Sequence, residues 1–270
     1  MKKAEPVDLK SNDVAVLLDF LKLPLGKSDA VLDRFAGLPG AVRCGSGLQQ
    51  FVFIEGQRQN RVVLVAHADT CWDFFYRKDR DLIPQNVQLT DGIIRNPGNG
   101  LGADDRAGCA ILWLLRDLGH SILVTNGEEY GDIGSTWLMT ARPDIADKIN
   151  DTHQFALALD RRNGRDFKCY GVGTPEFREY ITDKTGYTEP GRASSTDIST
   201  ICRRICGVNL SVGYQCEHTE NEHLVVKDWL HTLNLCRSWL SEASLPKFPL
   251  SGPDPDYEDI PEEPYKILYL

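Results

Sequence analysis

The sequence lacks any apolar run of the length that a membrane span requires. A transmembrane helix needs roughly 18 or more consecutive apolar residues, and no run in these 270 residues approaches that length. Residues 1–12 are polar and contain no apolar core of a signal peptide. We therefore expect no membrane partner, and we expect a cytoplasmic protein rather than a secreted one.

Positive charge is also scarce. The chain has 30 Lys and Arg against 39 Asp and Glu, which gives a formal net charge of -9. A general nucleic-acid surface needs an excess of basic residues, so nucleic acid is not an expected partner. With 41% hydrophobic and 26% charged residues, the composition is that of an ordinary globular protein.

Cysteine pairs with metal-site or redox spacing are missing as well. None of the eight cysteines stands in a CxxC pair, and in a reducing compartment we expect most of them to be free thiols. Cys202 and Cys206 stand four residues apart and would share a helix face. A disulfide or a metal site between these two stays open.

What the sequence does contain is an alternation of strand-like and helix-like segments. Nearly continuous apolar runs predict strands, and they lie at 50–54, 61–66, 121–125, 155–159 and 209–214. Helical periodicity occurs at 13–22, 103–118, 133–140, 176–183 and 225–240. This order predicts an α/β fold, a three-layer sandwich whose mostly parallel mixed central sheet is flanked by helices. We place one domain over residues 1–245 and a tail rich in proline and acid over 246–270.

Acidic and histidine side chains gather where the predicted strands end, which is where ligands bind in α/β sheets. Each group alone has an ordinary explanation, such as a charged loop or a helix cap. Together, several carboxylates at one edge would repel one another unless cations neutralised them. Imidazole and carboxylate ligands suit zinc, and cobalt or manganese would also fit. The residues concerned are His67, Asp69, Asp104, Asp105, Glu128, Glu129, Asp160, Glu217 and His218.

Five short stretches, taken together and in this order, resemble the co-catalytic zinc exopeptidases. That superfamily includes leucyl aminopeptidase, glutamyl aminopeptidase, tripeptidase and carboxypeptidase G. The stretches are VAHADT (65–70), GLGADDRAGCA (100–110), NGEEYGDIGS (126–135), LALD (157–160) and EHTENE (217–222). The resemblance covers roughly residues 62–240.

The resemblance implies a metal-binding role for five side chains. Asp104 would bridge two zinc ions, His67 and Asp160 would complete one site, and Glu129 and His218 would complete the other. Two Zn²⁺ bring four positive charges, which the three carboxylates and a bridging hydroxide would balance.

Three further roles follow from the same resemblance. Glu128 would be the general base and acid, Asp69 would hydrogen-bond to His67, and a cis peptide would join Asp104 to Asp105. If Glu128 and Glu129 continue an extended strand, their side chains point in opposite directions and can serve different functions.

The spacing of the stretches bears on the branch of the superfamily. The intervals 69–104 and 160–218 are too short for an inserted lid or dimerisation domain, so we expect a single catalytic domain, closest in plan to the leucyl aminopeptidases. Residues 191–200 resemble a segment of that branch with a Ser/Thr-Asp pair near the substrate. The sequences GADDRAG and HTENE look more like the tripeptidase and glutamyl branches, so the subfamily stays open.

The sequence leaves three possible functions open. The first is an aminopeptidase acting on peptides, and the second is a deacylase or amidohydrolase acting on an N-acyl amino acid. The third is a non-catalytic binding protein on a peptidase scaffold. Residues 71–77 could wall an apolar pocket or simply pack as a loop, and Tyr214 could contact substrate or be an ordinary strand residue. An oligomer is possible but not indicated.

Overall fold

The fold is taken from a computed structural model that describes residues 8–75, 85–191 and 195–252. Its strands, in chain order, are β1 (Ala41–Ser46), β2 (Gln49–Ile54), β3 (Val63–His67), β4 (Gln88–Thr90), β5 (Ile93–Arg95), β6 (Ser121–Thr125), β7 (Ala156–Arg161), β8 (Phe167–Lys168), β9 (Gly207–Ser211), β10 (Tyr214–Gln215) and β11 (His223–Val225). The predicted strand at 121–125 coincides with β6, and the other predicted strand positions shift by a few residues or are divided.

The helices are α1 (Asn12–Leu21), α2 (Asp29–Ala36), α3 (Trp72–Phe75), α4 (Ala103–Leu115), α5 (Ile133–Ala141), α6 (Pro143–Thr152), α7 (Pro175–Thr185), α8 (Asp197–Ile201) and α9 (Val226–Leu240). Helix α1 begins one residue before the predicted position 13, and the Ser11 hydroxyl caps it by accepting the backbone N–H of Val14. Among the described residues, no helix combines the length and the apolar character needed to cross a membrane.

A seven-stranded sheet forms the centre of the fold, in the order β1-β2-β6-β3-β7-β9-β8. Its middle strands β6, β3, β7 and β9 are parallel, and the outer strands pair antiparallel. All residues of β3, β6 and β9 are buried, as expected of parallel strands covered on both faces. Helices α1, α4 and α9 pack together on the sheet, and α5, α6 and α8 form a second packed group. The predicted α/β sandwich is confirmed.

The parallel strands end at one edge of this sheet. His67, at the end of β3, is in register with Thr125, at the end of β6. On the other side of β3, Val65 is in register with Ala158 of β7, two residues before Asp160. The side chains that follow these strands are therefore brought to the same edge.

A second, four-stranded antiparallel sheet in the order β10-β11-β5-β4 was not predicted. The expected single strand over 209–214 is wrong, because β9 ends at Ser211 and Tyr214 already belongs to β10. Strands of two or three residues carry too little apolar patterning to be recognised alone. This small sheet matters because the loop between β10 and β11 carries His218.

The first residues of the expected tail pack onto the domain. The ring of Phe248 lies 4.9 Å from those of Phe177 and Tyr180, measured between centroids. Residues 253–270, the greater part of the expected tail, lie outside the described residues. The boundary at residue 245 stays a prediction. All the cysteines, Cys202 and Cys206 among them, are free thiols.

Candidate metal centre

The five expected metal ligands come from separate elements and meet at the edge where the parallel strands end. His67 is the last residue of β3, and Asp160 lies near the end of β7. Asp104 is at the start of α4, and Glu129 lies in the turn after β6. His218 reaches the site from the loop between β10 and β11.

Asp104 lies between the two histidines. Its Oδ1 is 3.2 Å from His67 Nε2, and its Oδ2 is 3.2 Å from His218 Nε2. One carboxylate therefore presents a different oxygen to each imidazole. This is the arrangement that a carboxylate bridging two cations needs.

The remaining acids divide between the two histidines. Asp160 Oδ1 is 3.3 Å and Glu128 Oε2 is 3.8 Å from His67 Nε2. Glu129 Oε2 is 2.9 Å from His218 Nε2. Of the two neighbouring glutamates, Glu128 thus contacts His67 and Glu129 contacts His218.

The reason for this division differs from the one predicted. Glu128 and Glu129 do not extend a strand but lie in a 3-10 turn over Glu128–Tyr130. The turn follows Gly127, whose φ of 77° ends β6 and is readily adopted by glycine. The turn, rather than the alternation of an extended chain, directs the two side chains apart.

His67 is buried, whereas the His218 side chain is 31% exposed. The centre therefore opens to solvent on the His218 side. His218 also has a φ of 62°, a left-handed conformation that residues with a Cβ adopt uncommonly and that clusters at functional sites.

Burial and repulsion between neighbouring acids raise the pKa of three of the four carboxylates at the centre. Burial raises the pKa of Asp160, raises that of Glu128 well above its usual value, and raises that of Glu129 to about 7. Burial opposes ionisation of Asp104 too, but its contacts with His218 and His67 hold its pKa below the usual range.

The histidines respond in the opposite direction. Burial alone would lower both pKa values, but the neighbouring acids raise the pKa of His67 well above its usual value and that of His218 to about 12. Protonated imidazoles then supply the positive charge that this group of acids requires. Two divalent cations would supply it more strongly, and the imidazole and carboxylate donors are of the type that zinc binds.

Asp69 connects the two halves through its backbone and its side chain. His67 Nδ1 lies 3.0 Å from the Asp69 carbonyl oxygen and 3.4 Å from its Oδ1. The Asp69 carboxylate also accepts the N–H groups of Glu128 and Glu129, at 3.3 and 3.2 Å. The carbonyl is the nearer partner of the imidazole, and the carboxylate fixes the glutamate turn.

Asp105 performs a supporting role beneath the site. Its carboxylate accepts the N–H groups of His67 and Gly108, at 3.2 and 3.0 Å. A Cβ at Gly108 would lie 2.0 Å from the Leu159 carbonyl oxygen, so glycine is required where α4 approaches β7. The peptide between Asp104 and Asp105 is cis.

Glu222 was not recognised as a site residue from the sequence, although it lies within the EHTENE stretch. It is fully buried, and its two oxygens accept the backbone N–H groups of residues 101–104, at 2.7 to 3.2 Å. One carboxylate therefore holds the glycine-rich segment and the start of α4. No sequence pattern indicates these hydrogen bonds, because the partners of Glu222 are backbone groups 118–121 positions away.

Three polar residues hold Asp160. Thr196 Oγ1 donates to its Oδ2 at 2.9 Å, and the Tyr214 hydroxyl donates to its Oδ1 at 3.3 Å. The Asn209 side chain bonds both the N–H and the carbonyl of Asp160, at 2.9 and 2.7 Å. Tyr214 is buried, so its contact is with Asp160 rather than with a group in solvent.

Two arginines that follow Asp160 pair with nearby acids. Arg161 pairs with Asp166 at 2.7 Å and Arg162 with Glu217 at 2.6 Å, so both balance local acids. In the aromatic segment 71–77, residues 76 and 77 lie outside the described residues. Trp72 donates its indole N–H to Glu222 at 3.3 Å.

Replacing Glu222 with Gln should destabilise the protein. An amide nitrogen in place of either oxygen would face backbone donors, and each buried donor left without an acceptor costs about 1–3 kcal/mol. We expect a loss of about 2–5 kcal/mol in the free energy of unfolding, measured in urea. The exposed neighbour Glu220, changed to Gln, is the matched control. Equal stability of the two variants would contradict the role given to Glu222.

Asp197, at the start of α8, should make stability depend on pH. It is 2% exposed and accepts the Thr125 hydroxyl. Burial, and to a smaller extent the charge of Asp132, raises the pKa of Asp197 from 3.8 to about 7. The folded state holds this proton more tightly than the unfolded state does. Below about pH 4 the Asp197 carboxyl should therefore not lower the free energy of unfolding, and it should lower it progressively as pH rises towards 7.

Asp197→Asn keeps an oxygen for Thr125 and removes the titration. Urea unfolding from pH 4 to 7 should therefore show a smaller decline for this variant than for the wild type. Asp183→Asn, at an exposed position on α7, should follow the wild type. Parallel curves for the wild type and Asp197→Asn would exclude this linkage.

Comparison with known proteins places this geometry in a known fold. No protein-family model matches the sequence, and no curated protein matches it. A tripeptidase from Staphylococcus aureus aligns with a TM-score of 0.59 and 14% identity, over 85% of this chain and 98% of that one. An aminopeptidase from the archaeon Desulfurococcus kamchatkensis aligns with a TM-score of 0.60 and 13% identity, over 87% and 96%.

A third structure of the same kind is the aminopeptidase PepT from Bacillus cereus. It aligns with a TM-score of 0.57 and 14% identity, over 85% of this chain and 97% of that one. At these identities the likeness concerns the fold. Aminopeptidases and tripeptidases of this kind are members of the superfamily that the five sequence stretches resemble. The chain has the fold of the co-catalytic zinc exopeptidases.

Proposed function

We propose that this chain is a metal-dependent hydrolase of the aminopeptidase type, which releases N-terminal residues from peptides. One observation carries the proposal: each oxygen of Asp104 lies 3.2 Å from the Nε2 atom of a different histidine. Two adjacent cations, held by a shared carboxylate, are a known arrangement for hydrolysis of amide bonds.

The residues for the two cations are those that meet at this edge. His67, Asp160 and Asp104 would hold one, and Glu129, His218 and Asp104 the other. Zinc suits these donors, and cobalt or manganese would also bind. When bound, the pair would polarise the scissile carbonyl and lower the pKa of the attacking water towards 7.

Glu128 is the group that moves the proton. Its carboxylate lies 3.8 Å from His67 Nε2, so it is beside the centre yet farther from the imidazole than Asp104 or Asp160. Burial raises its pKa well above the usual value, which suits a group that must accept a proton near neutral pH and then give it up. It would take the proton of the attacking water and pass it to the leaving amine.

Asp69 acts through its neighbours. The Asp69 carbonyl oxygen lies 3.0 Å from His67 Nδ1 and favours a proton on that nitrogen. The lone pair of Nε2 would then bind a cation. Through the N–H groups of residues 128 and 129, Asp69 also positions the proposed base and a metal ligand. It is a positioning residue, whereas Glu128 reacts.

The similar structures favour an aminopeptidase over a deacylase, because they include aminopeptidases and a tripeptidase. A peptide substrate carries a free α-ammonium group, which an N-acyl substrate lacks, so the two reactions can be separated by substrate.

Changing Glu128 to Gln should abolish turnover while leaving metal binding intact. General acid–base catalysis contributes about a hundred- to ten-thousand-fold, so kcat should fall by at least that much. Metal per chain, measured by mass spectrometry, should stay at the wild-type value. Glu176→Gln, at an exposed position on α7, serves as the control. A Glu128→Gln variant with wild-type kcat would refute the assignment of the base.

A matched substrate panel tests the reaction itself. Dipeptides and aminoacyl anilides with a free α-amine are compared with their N-acetyl forms, in the presence of zinc, cobalt or manganese. We expect hydrolysis of the free-amine series alone. Hydrolysis of the N-acetyl series alone would identify a deacylase, and no hydrolysis by fully loaded protein would favour a binding protein.

A further inference from the structure

A cysteine lies beside the half of the centre that opens to solvent. The Cys71 Sγ, a carboxylate oxygen of Glu129 and a ring nitrogen of His218 all lie within 4.8 Å of one another. Nitrogen, oxygen and sulfur donors at this spread are able to converge on one cation. The family resemblance assigns no role to this thiol.

Several contacts fix the position of Cys71. Its N–H donates to Glu129 Oε1 at 3.0 Å, which ties it directly to a proposed metal ligand. On either side of it, the Thr70 hydroxyl donates to Asp73 at 2.8 Å and Trp72 donates to Glu222. The segment is therefore anchored at both ends, and the thiol is held beside Glu129.

We propose that the Cys71 sulfur is a further ligand of the cation held by Glu129 and His218. The inference rests on the proposed two-metal function. In this step the S–H bond breaks, the proton passes to solvent, and the sulfur electron pair forms the bond to the cation. One half of the centre then has sulfur, nitrogen and oxygen donors, and the half at His67 has nitrogen and oxygen donors.

The consequence is a difference in metal preference between the two halves. Thiolate is a soft ligand that favours zinc and disfavours manganese, whereas carboxylates accept manganese readily. We expect the cation at His218 to be the more selective for zinc. Exchange with manganese should therefore occur first at the half that contains Asp160.

Two other cysteines near the centre differ from Cys71. Cys109 is buried and its Sγ donates to the His67 carbonyl at 3.2 Å, so it supports the strand. Cys216 is exposed and lies two residues before His218. Among the described residues, Cys71 is the one cysteine that belongs to a group of donors able to hold a cation.

Optical spectra of the cobalt-loaded protein test the proposal. A thiolate bound to Co²⁺ gives a near-ultraviolet charge-transfer band, which nitrogen and oxygen ligands do not give. The wild type and the control Cys216→Ser should show the band, and Cys71→Ser should lose it. Cys71→Ser should also bind one of its two zinc ions at least about tenfold more weakly than the wild type. Loss of a group that only hydrogen-bonds to a metal ligand already lowers metal affinity by about 10- to 100-fold, and Cys71 is proposed to bind the metal directly.

X-ray absorption of the wild-type zinc protein needs no variant and decides the matter if Cys71→Ser fails to fold. A zinc–sulfur distance of about 2.3 Å, at one sulfur per two zinc ions, is expected. Two zinc ions with nitrogen and oxygen neighbours alone would overturn the role of Cys71 and leave the proposed function standing. Fewer than two ions per chain would overturn the two-metal centre itself.

Discussion

The contact of one carboxylate with two imidazoles organises this edge of the molecule. Asp104 is buried, and burial alone opposes its ionisation, yet the histidines on either side keep its pKa low. The same contacts raise the pKa of both histidines. Charge of both signs is therefore held where water is largely excluded, and this is stable only while the partners stay together. Any cation that binds here replaces protons that the histidines hold.

Backbone groups hold this cluster in place. Glu222, Asp105 and Asp69 each accept two or more main-chain N–H groups around the site. Buried carboxylates that accept several N–H groups fix loops without adding positive side chains. Main-chain contacts of these three acids, rather than salt bridges with Lys or Arg, therefore hold the loops around the centre.

Parts of the fold were open to prediction because their patterns are long. The buried runs of β3 and β6, and the periodicity of α9, occupy enough residues to be distinctive. The four-stranded sheet was missed because its strands have only two or three residues, and their pairing depends on partners far along the chain. The turn at Glu128 was mistaken for a strand end for a similar reason: a glycine conformation, not a hydrophobic pattern, decides it.

The chemical character of the proposed centre could be inferred from residue types and their order in the chain. Histidine and acid stretches after buried strands indicated a metal-binding edge, because parallel strands deliver their ends to one side of a sheet. The fold was needed to show how the acids divide between the two histidines, that Glu222 holds residues 101–104, and that Cys71 lies beside Glu129 and His218. These facts depend on distances between residues remote in the chain, and such distances are set by packing rather than by local pattern.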